Sequence, residues 1–466
     1  MSGATDQPHV CHIAKLPSEI LILIFTFVRD AHDLQLPPYE PSLLSPSSTS
    51  RRRPNPAITL SHTCSRWRSL TGGLWTTLYL DGEIDGTRAE AKASFWAMRA
   101  RRRGQLPDPD ADEAAKETEP ARVTTLVMTR VQDWSDEYLA YLGETLDLIE
   151  HLRLRRVRLS WMGGGASSSD ESKQLQTVFR LLLSSASTLE ELTLHTPSHL
   201  RILFSLPRLG HTFTALRSLE IRSCNMRYPA SDAYLIPAFL PRYEGEDDWE
   251  PLAHLTRLVL VGPIWRLRFR DGTVASPTLE AGDLPALTYS HLGSTSPPIA
   301  WSLLSSETIQ HLFLEDHIDH PRLPDPDLTA SFATLTSLSM IRSPSLVTRL
   351  LDSSVKLNLR FPHLTALNLD SACLSQAHLE LFSGDGAPMV AKLELCRTTS
   401  TTGRALMLPT FPAVTTFSAL DAAWLPPYFL HGLSVSMPRL EHLHTNGRFT
   451  DEDITQLPVE VFLHFD

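Results

Sequence analysis

LRSLEIRSCNM, residues 216–226, carries the pattern that decides the fold. Leu216, Leu219 and Ile221 are apolar, and the alternation over Leu219, Glu220 and Ile221 is that of a short strand with one face turned inward. Outward from there the same spacing recurs: apolar, two others, apolar, one other, apolar. LEELTL (189–194) precedes it; LTRLVL (255–260), IQHLFL (309–314), LTSLSM (335–340), LTALNL (364–369) and VAKLEL (390–395) follow. Weaker copies are VTTLVM (123–128), IEHLRL (149–154), LPALTY (284–289), VTTFSA (414–419) and LEHLHT (440–445). From first residue to first residue the copies step by 26, 40, 27, 39, 29, 25, 26, 29, 26, 24 and 26. Leucine fills about one position in six, so a single match carries little; the near-constant step carries the signal.

Between these strands lie segments with helical spacing, at 136–148, 173–186 and 345–354, with Ser135, Ser172 and Ser345 placed as N-caps. Each unit reads as strand, turn, helix, turn. Such a unit cannot bury its own apolar strip, and stacking against a neighbour does so. The two long steps are read as insertions, one from Gly163 to Ser172 and one around Tyr243 to Trp249. The pattern resembles the leucine-rich-repeat family from about Val123 to the C-terminus. Residues 216–226 match its extended signature with Cys224 in the Asn/Cys place, while LTALNLDSACL (364–374) has Ala372 there. The resemblance implies an α/β fold, a curved solenoid with a parallel inner sheet, built here from about 12 degenerate repeats over 123–466.

The N-terminal part is different material. After 1–12, expected to be disordered, IAKLPSEILILIFTFV (13–28) opens with Leu16-Pro17, a proline suited to a helix start, and places Glu19 in the first turn where the helix dipole favours an acid. Ile20, Leu23, Ile24 and Phe27 recur at helical spacing. Residues 29–56, rich in Pro, Ser and Arg, read as an inserted loop. Then Ile58, Leu60, Cys64, Trp67 and Leu70 form an apolar stripe closed by Gly72-Gly73 and Leu74-Trp75. A segment opened by L-P-x-E-I-L and a later C-x-x-W-R-x-L segment followed by L-W resembles an F-box over 13–80, with matching positions at Leu16, Pro17, Glu19, Ile20, Leu21, Ile24, Phe25, Cys64, Trp67, Arg68, Leu70 and Trp75. Residues 81–122, ending in PDPDADEAAKETEP, read as a linker.

The F-box resemblance implies a non-catalytic receptor that docks on a Skp-type adaptor, and through it a cullin-RING ubiquitin ligase, by way of Leu16, Pro17, Glu19, Ile20, Ile24, Phe25, Trp67, Leu70 and Trp75. The repeats would then hold an unknown protein substrate. Strand alternation nominates Glu220, Arg222, Asn368 and Asp370 as substrate contacts. Two readings compete: a repeat scaffold independent of any ligase, whose N-terminal helix only caps the first repeat, and an enzyme with a cryptic site among the repeats.

Composition narrows the field. The 42 Lys+Arg against 53 Asp+Glu leave a net charge of -11, the wrong balance for a nucleic-acid binder. Five scattered cysteines with no C-x-x-C pair argue against a disulfide framework or thiolate zinc site. Glu315-Asp316-His317-Ile318-Asp319-His320 gathers acids and histidines but reads as a solvated loop, so neither metal nor cofactor is expected. Phosphate-binding loops, nucleophile elbows and H-E-x-x-H pairs are absent. The longest apolar run, 20–28, is too short to cross a bilayer, and the first residues lack a signal peptide's pattern, so a cytoplasmic or nuclear protein is expected.

Overall fold

The computed structural model describes Leu21, Ile24 and residues 77–81, 124–129, 154–160, 180, 182–196, 212–223, 252–261, 267–268, 274–275, 283–293, 303, 306–315, 332–426, 429–446 and 462–464. The chain divides into two units, one of residues 1–129 and 133–158, the other of 130–132 and 159–466. In the first, β1 (Thr77–Asp81) and β2 (Thr125–Thr129) pair in parallel with Thr77 opposite Thr125. β3 (Arg156–Ser160) starts in this unit, where the N–H groups of Arg155 and Arg156 donate to the Thr124 carbonyl.

The second unit runs through β4 (Glu191–Thr196), β5 (Ser218–Ser223) and β6 (Arg257–Val261). A small antiparallel pair, β7 (Leu267–Arg268) and β8 (Val274–Ala275), precedes β9 (Tyr289–Gly293), β10 (His311–Glu315) and β11 (Ser337–Ile341). Helix α1 (Pro344–Lys356) leads to β12 (Ala366–Leu369), β13 (Cys373–Leu374) and helix α2 (Gln376–Leu381). Then come β14 (Lys392–Glu394), β15 (Thr399–Ser400), β16 (Thr416–Ser418), helix α3 (Phe429–Ser436), β17 (His442–His444) and β18 (Phe462–His464). Setting aside β7, β8, β13 and β15, these strands lie side by side in chain order. Their pairings are parallel, as the repeat reading requires. β13 and β15 form a second parallel ladder just beyond the main strands.

Three features recur among the repeats and explain their composition. The first apolar residue donates its N–H to the carbonyl three residues earlier: Leu216 to Phe213, Leu255 to Leu252, Leu287 to Leu284, Leu364 to Phe361, Leu440 to Met437. Those earlier residues are apolar and buried, and Phe332 stacks on Phe361 at 4.7 Å between neighbouring units. The next residue is often threonine. Its hydroxyl, with the N–H groups of that residue and its successor, donates to the equivalent carbonyl of the preceding unit: Thr288 to Thr256, Thr336 to Gln310, Thr365 to Thr336. Beyond the strand the backbone turns through a left-handed residue at one recurring place, Arg342 (φ 49), Ser371 (φ 61), Arg397 (φ 52) and Asp421 (φ 55). The residue after each stands in the Asn/Cys place of the signature. Ser343 and Thr398 there bond backbone carbonyls through their hydroxyls, while Ala372 is simply buried. The turn keeps its geometry where the signature side chain is lost.

The strands correct the register of two copies. By its hydrogen bonds to Thr124, the second copy is LRRVRL (154–159), five residues later than IEHLRL, and Leu154, Val157 and Leu159 are buried. Tyr289 pairs with Arg257 and His311, so the copy read as LPALTY is LTYSHL (287–292). Leu284 fills the turn position before it. The step read as 40 residues, ending at Leu189, begins at 154 rather than 149 and is 35. In the corrected frame Ser290 holds a leucine place, fully buried with its hydroxyl unpaired. Replacing it with alanine is expected to raise the unfolding free energy by about 1 kcal/mol, measured by urea titration, because a buried unpaired hydroxyl is removed at little packing loss. Ser345 is not an N-cap; α1 starts at Pro344 with Ser343 as its cap residue. The side chain of Ser375 caps α2 in a capping box with His378. Ser135 and Ser172 lie outside the described residues.

Candidate interaction surfaces

In the N-terminal segment Leu21 and Ile24 are helical, as the spacing predicts. Leu21 is fully buried and Ile24 is 39% exposed, so this helix turns a large apolar side chain to solvent. Leu16, Pro17, Glu19, Ile20, Phe25, Trp67, Leu70 and Trp75 lie outside the described residues. Trp75 precedes β1 by two, and WTTLYL (75–80) repeats the strand pattern of VTTLVM, which the sequence reading passed over.

In the second unit, alternation sends the apolar residues of each strand into the core and the third, fifth and seventh residues of each copy to the opposite face. On β4 to β10 that face carries two clusters of paired charges, around Glu220 and around Glu315. Glu220 of β5 accepts from Arg222 at 2.7 Å and from Arg257 of β6 at 3.1 Å, with His195 of β4 at 3.4 Å. Burial alone would raise the Glu220 pKa; hydrogen bonds from His195 and Arg222 and the charges of Arg222 and Arg257 outweigh it and hold the carboxyl well below the usual range. Arg257 also lies over the Tyr289 ring, 5.2 Å from its centre. Further along, Glu315 accepts from Arg342 at 2.8 Å and sits 3.1 Å from His291, whose ring meets Phe313 edge-on at 4.3 Å. The hydrogen bond with His291 is the main cause that lowers the Glu315 pKa.

From β11 onward the face changes character. β11 and β12 present Ser337, Ser339, Ala366 and Asn368, all small or uncharged. Beyond them Lys392 and Glu394 pair at 2.6 Å on β14. Asp370 is buried and its carboxylate is held by Arg397, with the Nε bond at 2.8 Å. Ser418 lies 3.4 Å from the Cys396 thiol.

Of the four substrate contacts read from alternation, Glu220 and Arg222 fall in one cluster. Asn368 sits on β12 and Asp370 directly after it, with β6, β9, β10 and β11 between. They share a face without meeting, about 24 Å apart at the usual strand spacing. The sequence reading did not single out His195, Arg257, Tyr289, His291, Phe313 or Arg342. Their signal was available as the odd positions of each copy, and for Tyr289 and His291 it was hidden by the misplaced register.

Among the described residues no group of three His, Cys, Asp or Glu could hold a metal ion, and no helix is long and apolar enough to cross a membrane. No curated protein was found to match the chain. One family model does match, covering the stretch that holds the exposed Ile24 and ends with β1: residues 13–81 are F-box-like.

Proposed function

We propose that this chain is a non-catalytic substrate receptor. Its F-box-like segment docks on a Skp-type adaptor and so joins a cullin-RING ubiquitin ligase, while the polar face of its parallel sheet holds a protein substrate. The observation that carries this reading is the F-box-like match over residues 13–81, with Ile24 exposed on the helix inside it. An apolar side chain at the surface of a short helical segment is a docking feature, because burial against a partner helix removes it from water. Leu16, Pro17, Glu19, Ile20, Ile24, Phe25, Trp67, Leu70 and Trp75 are the proposed adaptor contacts. Residues 81–122 act as the linker, and the strands from 123 onward form the substrate-holding part, to which β1 adds a copy of the same pattern.

The test is a pull-down of the full chain with a Skp-type adaptor, beside a Leu16→Ala/Pro17→Ala/Ile20→Ala variant and an Ile24→Asp variant, each shown by circular dichroism to stay folded. Binding by the native chain and its loss in the variants is the expected result. No binding by the folded native chain would sink the receptor reading and leave a repeat scaffold that works without a ligase.

A further inference from the structure

The cluster around Glu220 has its acceptors filled and its donors open. Both carboxylate oxygens are in use: Oε1 accepts from Arg222 Nε at 2.7 Å and lies 3.4 Å from His195 Nε2, and Oε2 accepts from Arg257 Nη1 at 3.1 Å. A guanidinium presents its N–H donors in a fixed planar fork. Arg222 engages only the one on Nε, and Arg257 only Nη1, which also comes within 3.5 Å of Ser218 Oγ. Among the described residues, Nη1 and Nη2 of Arg222 have no hydrogen-bond partner, and neither do Nε and Nη2 of Arg257.

The cluster is layered. The Glu220 side chain is 16% exposed, while those of Arg222 and Arg257 are 31% and 39% exposed, so the carboxylate lies deeper and both arginines reach solvent. Both are held in place: Glu220 anchors each, and Arg257 also lies over the Tyr289 ring, 5.2 Å from its centre. Two positive charges share one negative charge here, and the other acids of the face do not close the gap. Glu191 of β4 is two strand spacings from Arg257, about 10 Å, with Ser218 between them. Glu315 of β10 has Arg342 of its own at 2.8 Å. The spot is therefore opposite in sign to the chain as a whole, whose net charge is -11.

We propose that Arg222 and Arg257 together bind one carboxylate of a protein partner, the side chain of an Asp or Glu in an exposed segment that crosses β5 and β6. Glu220 is the positioning residue beneath them. The open N–H edges of two guanidiniums suit the two oxygens of a carboxylate, and a single negative charge matches the excess of one positive charge. A phosphate dianion would exceed it. This rests on the reading of the sheet face as the partner-binding surface, and gives that surface a ligand class and two contact residues.

The probe is a phage-displayed library of random peptides panned on the full chain. Enriched peptides are expected to share an Asp or Glu, and changing that acid to its amide should weaken binding about tenfold or more. Arg257→Lys is the discriminating variant. An ammonium group keeps the positive charge and one bond to Glu220 but has no second N–H edge to offer. Its circular dichroism and thermal midpoint should therefore stay near those of the native chain while its affinity for the acidic peptide falls about tenfold. The amide form of the peptide should bind native and Arg257→Lys chains equally, which ties the loss to this one pair of groups. Arg222→Gln should give a similar loss and keeps the test readable if Arg257→Lys fails to fold. Failure to enrich any peptide would overturn the proposal, as would enrichment of peptides without an acid or equal binding of the acidic peptide by the folded variants. Tighter binding when phosphoserine replaces the acid would overturn the assignment to a carboxylate. Adaptor pull-down by Arg257→Lys should be unchanged, so a failure here is distinguishable from a failure of adaptor docking.

Discussion

Trp424→Ala is expected to lower the unfolding free energy by about 3–5 kcal/mol, the largest effect of any single substitution proposed here. Trp424 is fully buried, and its indole N–H donates to Thr398 Oγ1 at 2.6 Å. Thr398 is itself buried and donates to the Leu395 carbonyl at 2.9 Å. This chain of two bonds ties one unit's turn to the aromatic side chain of the next. Alanine would open a cavity that neighbouring strands cannot close and would take away a donor from a buried hydroxyl. Trp424→Phe separates the two contributions: most of the volume is kept and the hydrogen bond is lost, so a smaller loss of about 1–2 kcal/mol is expected. Urea titration of the three chains at one temperature checks both values, and equal losses for Ala and Phe would contradict the cavity argument.

Glu220→Gln is the second large effect, about 2–3 kcal/mol at neutral pH. The carboxylate is mostly buried among Arg222, Arg257 and His195, and an amide in its place leaves two guanidinium groups facing each other without compensation. The partly exposed arginines moderate the loss below that of a fully buried pair. The sign of the pH dependence follows from the lowered pKa. Folded Glu220 keeps its charge below the ordinary value of 4.5, whereas the unfolded chain takes up the proton there. The stabilisation is therefore complete above that pH and fades as pH falls towards the folded value. The gap between native and Glu220→Gln chains should be constant from pH 7 to 5 and shrink only in more acid solution, which a series of urea titrations would show.

The strand arrangement was legible because its signal is repeated: Leu219, Leu258, Leu338 and Leu367 fall at matching places, and the pairing puts Leu219 beside Leu258 and Leu338 beside Leu367 on adjacent strands. The register was legible only where one frame fits. Around Leu287 the turn residue Leu284 lies three before it, at the same separation as the strand pattern's own first step, so the motif fits equally well when slid by three. Ser290, polar in a leucine place, then drew the reading to the wrong frame. IEHLRLRRVRL (149–159) holds two overlapping frames that share Leu154, and only the hydrogen bonds to Thr124 choose between them. The threonine after the first apolar residue could have settled the matter, since its hydroxyl bonds the previous unit and LTY carries it while LPA does not. On the sheet face, alternation identifies which residues point outward, but partnership depends on which strands are neighbours. Hence Glu220, Arg257 and His195 were each legible as outward-facing, while their partnership, which crosses from one repeat to the next, was not.

The strictly sequential strand order of the second unit also governs how that unit can be assembled in time. No strand waits for a distant part of the chain, and from one strand to the next the pattern steps by at most 39 residues. Each loop that must close is short, so its closure entropy is small and is met one strand at a time rather than all at once. Ordering can begin at any well-packed pair and spread in both directions as a zipper does. Such a chain loses all-or-none unfolding more readily than a fold with interleaved strands. Its urea transition should accordingly be broader than its size predicts, with the ends melting before the middle.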